Sequence, residues 1–129
     1  MKQKKFSIKK RLQSFKHAFN GLRILLREEH NSWIHLFATV FVLVAGFTLK
    51  ISAGEWIAVI FCIGIVFALE LVNTAIENMA DFVSKEYHIS IKKIKDLTAG
   101  AVLAGAIVTA VIGLIIFAPK IIKLICSIS

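Results

Sequence analysis

A chain of 129 residues, 57% of them hydrophobic and with a mean hydropathy of +0.78, is too short for more than one domain and too apolar for a soluble one. Its net charge of +8 is not a nucleic-acid footprint, because nine of the sixteen Lys and Arg precede Asn31 and the long apolar stretches carry almost none. Basic charge beside apolar spans anchors a chain at an anionic leaflet. Cys62 and Cys126 sit in or beside apolar stretches without Cys or His partners nearby, a pattern of neither a disulfide framework nor a metal site.

In chain order, residues 1–6 form a basic tail too polar for the apolar core of a signal peptide. From Ile8 to Glu28, the residues Ile8, Leu12, Phe15, Phe19, Leu22, Leu25 and Leu26 recur at helical spacing, with Lys9, Arg11, Lys16, Arg23 and Arg27 between them. This pattern predicts a basic amphipathic helix lying on the bilayer surface, with packing on another protein chain as the alternative. A first span is expected over about 33–49 and a tight connection, helped by Ser52 and Gly54, over 51–55. The second span covers about 56–72, its helix continuing to 85, and the third about 97–118, closed by Pro119, Lys120 and Lys123. Each approaches or exceeds the roughly 17–25 residues that cross the hydrocarbon core. The predicted fold is therefore all-α and integral to the membrane, a single domain of one surface helix and three transmembrane helices.

Lys85, Lys92, Lys93 and Lys95 crowd the 73–96 connection, whereas the 50–55 connection holds only Lys50. With the basic N-terminal segment, this places the N-terminus and the 73–96 connection in the cytoplasm. Small residues at Gly100, Ala101, Ala104, Gly105 and Gly113 invite close helix approach, so a homo-oligomer is expected.

The chemistry is concentrated between Glu70 and Asp81. At about 100° per residue, Glu70, Asn73, Glu77 and Asp81 fall within roughly 80° of one another on the helix. Glu70 lies inside the apolar pattern, where an ionised side chain costs about 2.5–3.5 kcal/mol at the helix centre and less towards its ends. A solvated face accounts for Glu77 and Asp81, but it does not account for Glu70 and Asn73 among Leu69, Leu71, Val72 and Ile76. The Glu28-Glu29 pair is expected at the same cytoplasmic interface. Carboxylates from two helices, completed by phosphate oxygens, are a normal setting for Mg²⁺. Lys95-Asp96 stands where it can meet a polyphosphate, while Lys92 and Lys93 read as anchors. No glycine-rich phosphate loop occurs, so a bound nucleotide would be held by scattered side chains. His35 reads as an interior histidine rather than a ligand.

The run Glu70-x-x-Asn73-Thr74-Ala75-Ile76-Glu77 resembles the prokaryotic diacylglycerol kinase family. The likeness extends through Asp81, Glu86-Tyr87-His88, Lys95-Asp96 and Ala99–Leu103, and upstream through His17-Ala18, Gly21-Leu22-Arg23, Glu29, Asn31 and Ile34-His35. The resemblance implies a homotrimer with composite sites and an ATP- and Mg²⁺-dependent lipid kinase. In it, Glu70 would be the base, Asn73 would orient Glu70, and Glu29 and Glu77 would hold Mg²⁺-ATP. Lys95 would pair with the phosphates, and Asp96, Glu86 and His88 would line the nucleotide. His17 and Lys10 would face it from the surface helix, with Lys10, Ala99 and Glu70 beside the lipid. His17-Ala18, Asn73-Thr74-Ala75 and Phe117-Ala118-Pro119-Lys120 are more similar to the branch acting on undecaprenol than to that acting on diacylglycerol. Ser32-Trp33 departs from the family pattern. A small transporter or a membrane adaptor are the non-enzyme alternatives, and neither explains Glu70 as well.

Overall fold

The computed structural model describes residues 5–129, so the first four residues of the basic tail lie outside it. Four helices follow one another: α1 (Ile8–Glu28), α2 (His30–Thr48), α3 (Ala53–Val83) and α4 (Ile89–Ile128). The last three are long and apolar enough to cross a membrane. At 1.5 Å per residue α3 and α4 run about 46 and 60 Å, longer than the roughly 30 Å hydrocarbon core, so both project beyond it.

The break between α1 and α2 is a single residue. Glu29 has extended dihedrals (φ −109°, ψ 108°) and serves as C-cap of α1 and N-cap of α2. The last carbonyls of a helix lack intrahelical partners, and here the next helix supplies them. The Ser32 hydroxyl, fully buried, donates to the carbonyls of Glu29 (2.5 Å) and Leu25 (3.3 Å), and Trp33 Nε1 donates to that of Leu26 (2.7 Å). The Ser32-Trp33 pair is thus the clasp of this break.

α2 ends in a tight reversal. Lys50 takes a left-handed conformation (φ 51°), and the Ile51 N–H returns to the Gly46 carbonyl. The strained position is therefore Lys50, whereas Gly54 sits inside α3. Ser52 caps α3 reciprocally with Glu55, each side chain accepting the other's backbone N–H (3.2 and 3.0 Å). Beside the turn Gly46 faces the Trp56 ring, which in turn packs on Phe47 with centroids 4.8 Å apart.

α3 and α4 form the main antiparallel pair, and Gly105 lets Leu69 lie directly on the α4 backbone. Ile51, Val59 and Ile116 make the buried apolar centre, flanked by Val42, Trp56, Ile112 and Phe117. Pro119 does not close α4, contrary to the sequence expectation. Helix continues to Ile128, because the one lost N–H is tolerable in an otherwise apolar helix. Lys120 pairs there with Glu55 at 3.2 Å. α4 also starts earlier than the predicted span, at Ile89, where His88 Nδ1 accepts the Ser90 N–H.

The two close glycines predict different costs. A Cβ on Gly46 would meet Trp56 ring atoms at 2.7 and 2.9 Å, and a fused ring cannot swing aside. A Cβ on Gly105 would meet only the end of Leu69, which can change rotamer. Thermal unfolding in detergent is expected to show Gly46→Ala losing about 1–3 kcal/mol and Gly105→Ala distinctly less.

Candidate active site

The polar face of α3 turns inward. Glu70 is 3% exposed, and Asn73 and Thr74 are also buried. A carboxylate at this depth needs a partner, and His35 of α2 provides it, with Nε2 2.9 Å from Glu70 Oε1. Sequence reasoning left His35 out of the site. Its one signal was that it is the only His, Asp, Glu, Lys or Arg within the predicted first span, as Glu70 is within the second.

One turn further, Asn73 Nδ2 donates to Glu77 Oε1 at 3.4 Å, so the amide expected to orient Glu70 reaches the opposite neighbour. Asn73 Oδ1 and the Thr74 hydroxyl are buried without a hydrogen-bond partner. Such atoms call for a ligand or ordered water.

Glu29 joins this group because the α1–α2 break releases its side chain from both helices. It lies within hydrogen-bonding reach of Glu77, with Glu70 and Glu28 also near. Burial first, then the charge of Glu77, raises its carboxyl pKa above the ordinary 4.5. Asn78 Nδ2 donates to Glu28 Oε2 (2.9 Å) and ties the end of α1 to α3. Two unneutralised carboxylates in contact fit a divalent cation that takes its remaining ligands from phosphate and water. Among the described residues no three His, Cys, Asp or Glu are placed to hold a metal ion by themselves.

A second polar group lies where α3 and α4 meet at the 84–88 connection. Lys95 Nζ binds Asp81 Oδ1 (2.5 Å), and Lys92 Nζ binds Asp96 Oδ2 (2.6 Å). Lys92, read in the sequence as an anchor, is thus the present partner of Asp96. Glu86 and His88 are exposed on the connection, where the Glu86 carbonyl accepts the Ser84 hydroxyl (3.1 Å). Ala99 is exposed on α4, as are His17 and Lys10 on α1, and neither of these two side chains forms a hydrogen bond or ion pair among the described residues. The fold therefore assembles Glu29, Glu70, Asn73 and Glu77 with His35, and leaves His17 and Lys10 outside that cluster.

Because the raised Glu29 pKa means that the native state binds more protons than the unfolded one, this group's contribution to stability falls as pH rises above 4.5. At pH 7 without divalent cation, Glu29→Gln is expected to raise the melting temperature slightly, and the gain should vanish towards pH 4.

Comparison with known proteins adds a separate line of observation. The family profile described as prokaryotic diacylglycerol kinase matches residues 16–117. Undecaprenol kinase of Bacillus subtilis (strain 168) is 42% identical over 108 residues, covering 84% of this chain and 88% of that protein. A diacylglycerol kinase of the cyanobacterium Synechocystis sp. is 34% identical over 114 residues, 88% of this chain but 65% of that longer protein. With a family match across most of its length and a relative at 42% identity, this multi-pass membrane chain belongs to the prokaryotic diacylglycerol kinase family.

Proposed function

We propose that this lipid kinase transfers the γ-phosphoryl group of ATP, with Mg²⁺, to the hydroxyl of a membrane lipid alcohol, undecaprenol being the favoured acceptor. The observation that carries the reading is the buried Glu70 carboxylate, held by one histidine and lying on the same helix face as Asn73 and Glu77. The likeness to the Bacillus undecaprenol kinase supports the choice of lipid. Diacylglycerol is the alternative acceptor, supported by the cyanobacterial relative.

In this reading Glu70 accepts the proton of the lipid hydroxyl as its oxygen bonds to the γ-phosphorus, and the bond to the bridging oxygen of ADP breaks in line. His35 holds Oε1 of Glu70, which leaves Oε2 to face the hydroxyl. Glu29 and Glu77 would hold Mg²⁺ together with the ATP phosphates, and such an ion would supply positive charge beside the transferring group. Asn73 Oδ1, without a protein partner, is a further polar atom for the metal's water or the substrate. Lys95 exchanges its contact with Asp81 for the phosphates, while Asp96, Glu86 and His88 line the nucleotide and His17 and Lys10 close over it from α1. Lys10 and Ala99 also border the lipid.

The orientation follows from charge, with the N-terminus and the α3–α4 connection cytoplasmic and the site at that interface. α1 lies on the bilayer, its exposed Ile8, Leu12, Phe15 and Phe19 in lipid and its Lys and Arg towards water. The spans keep the boundaries of about 33–49, 56–72 and 97–118 within their longer helices. A homotrimer covers faces that a single chain leaves open, among them Gly100, Ala101 and Ala104 of α4.

The test is phosphate transfer from γ-labelled ATP to undecaprenol and diacylglycerol in mixed micelles. Glu70→Gln is expected to lower kcat by about 10²–10⁴-fold while ATP still binds. Transfer unchanged in that variant defeats the assignment of the base. His35→Leu, which leaves Glu70 without its partner, is expected to lower kcat on the order of 10²-fold with little change in KM for ATP, and His35→Gln, which keeps an N–H donor, should recover part of the loss.

A further inference from the structure

Beneath the His35–Glu70 pair lies a half-open cavity of about 90 Å³ lined by α2, α3 and α4 of one chain. Its α3 wall is formed by Val66, Cys62 and Val59, the residues that succeed one another below Glu70 on the same buried face. From Val66 to Val59 the wall runs about 10 Å into the apolar part of the bundle. α2 contributes Thr39 and Val42, and α4 contributes Ile112, Gly113 and Phe117. The Thr39 hydroxyl is already bonded to the His35 carbonyl at 2.7 Å, so it offers a guest no free donor. His35 is both the partner of Glu70 and the lip of the cavity.

We propose that this cavity receives the hydrocarbon next to the reacting hydroxyl, and that it selects a prenyl alcohol over diacylglycerol. The inference rests on the lipid-kinase reading and deepens it. A hydroxyl within reach of Glu70 places the next few carbon atoms of its own molecule at the mouth of the cavity. In a prenol those atoms are a branched, unsaturated five-carbon unit with no polar atom. In diacylglycerol they are glycerol carbons bearing two esters, whose carbonyls would lose water and meet, beside the apolar wall of Val59, Cys62 and Val66, the single hydroxyl of Thr109 on α4. An apolar protein cavity of about 150 Å³ holds benzene, so about 90 Å³ takes a smaller apolar piece, the methyl-branched part of a prenyl unit rather than the whole unit. Diacylglycerol can still be phosphorylated with its chains on the outer, lipid-facing side of the helices, which makes the cavity a determinant of preference rather than of activity.

Gly113 provides the test, because it lines the cavity and a Cβ added there meets nothing within 4 Å. kcat/KM would be measured for undecaprenol and for diacylglycerol in the same micelles with wild type, Gly113→Ala and Gly113→Leu. Thr39→Leu, which fills the space from α2, serves if Gly113→Leu does not fold. The expected result is a wild type that prefers undecaprenol and a prenol-to-diacylglycerol ratio that falls at least tenfold in the Leu variant and only slightly in the Ala variant. A ratio that stays within twofold overturns the inference, whether both activities fall together or neither falls while the melting temperature rises, as for the filling of a simple void. A wild type faster on diacylglycerol overturns it too. Failure of the broader reading looks different, since wild type would then transfer phosphate to neither lipid.

Discussion

A carboxylate buried to 3% exposure inside a membrane-spanning helix constrains everything around it. Glu70 cannot be charged there alone, and removing one partner from a buried pair costs far more than the pair contributes. His35 must therefore stand at the same depth on α2, which fixes how α2 and α3 are rotated and offset against each other. The single-residue break at Glu29 sets where α2 begins, and the reversal at Lys50 sets where it ends. Both ends are hydrogen-bonded tightly, so the register that brings His35 to Glu70 does not depend on the apolar packing alone. The cavity lies between these two fixed points, with His35 at its lip.

The helices were legible because apolar periodicity and span length are written into consecutive residues. Ile8 to Leu26 repeats at helical spacing, and the three apolar stretches stand out against the charged connections. Glu70, Asn73 and Glu77 were legible for the same reason: they share one helix, where position alone decides which face a residue occupies. What the sequence hid were relations between helices. Nothing in the surroundings of His35 points to Glu70, since the contact requires the rotation of α2 against α3. The turning of the Asn73 amide towards Glu77 was likewise invisible, because that choice depends on which neighbour Glu70 has already taken. Pro119 misled because proline ends helices in water, where the freed carbonyl is solvated and the chain can turn away. Inside an apolar helix there is no such exit, and continuing costs less than breaking.

The electrostatics of the site are those of a vessel built for a guest. Burial penalises a charged Glu29, and the charges of Glu77, Glu70 and Glu28 add to that penalty. The nearest cation on α4, Lys95, is engaged by Asp81 rather than by these carboxylates. Such an arrangement lowers stability, as is common where function needs strained or unpaired groups. It also separates the two jobs of the polar residues. Glu70 is held from within the bundle by His35, whereas Glu29 and Glu77 face each other where the α1–α2 break meets α3.

The break at Glu29 has a mechanical meaning as well. One residue is at once the last support of α1 and the first of α2, and Ser32 and Trp33 clasp the joint from beyond it. There is no slack in which a change of angle can be absorbed. Any force that tilts α1 rotates the Glu29 carboxylate towards or away from Glu77, with the whole helix acting as a lever of about 30 Å. The joint thus makes the angle between α1 and α2 and the placing of one carboxylate a single variable.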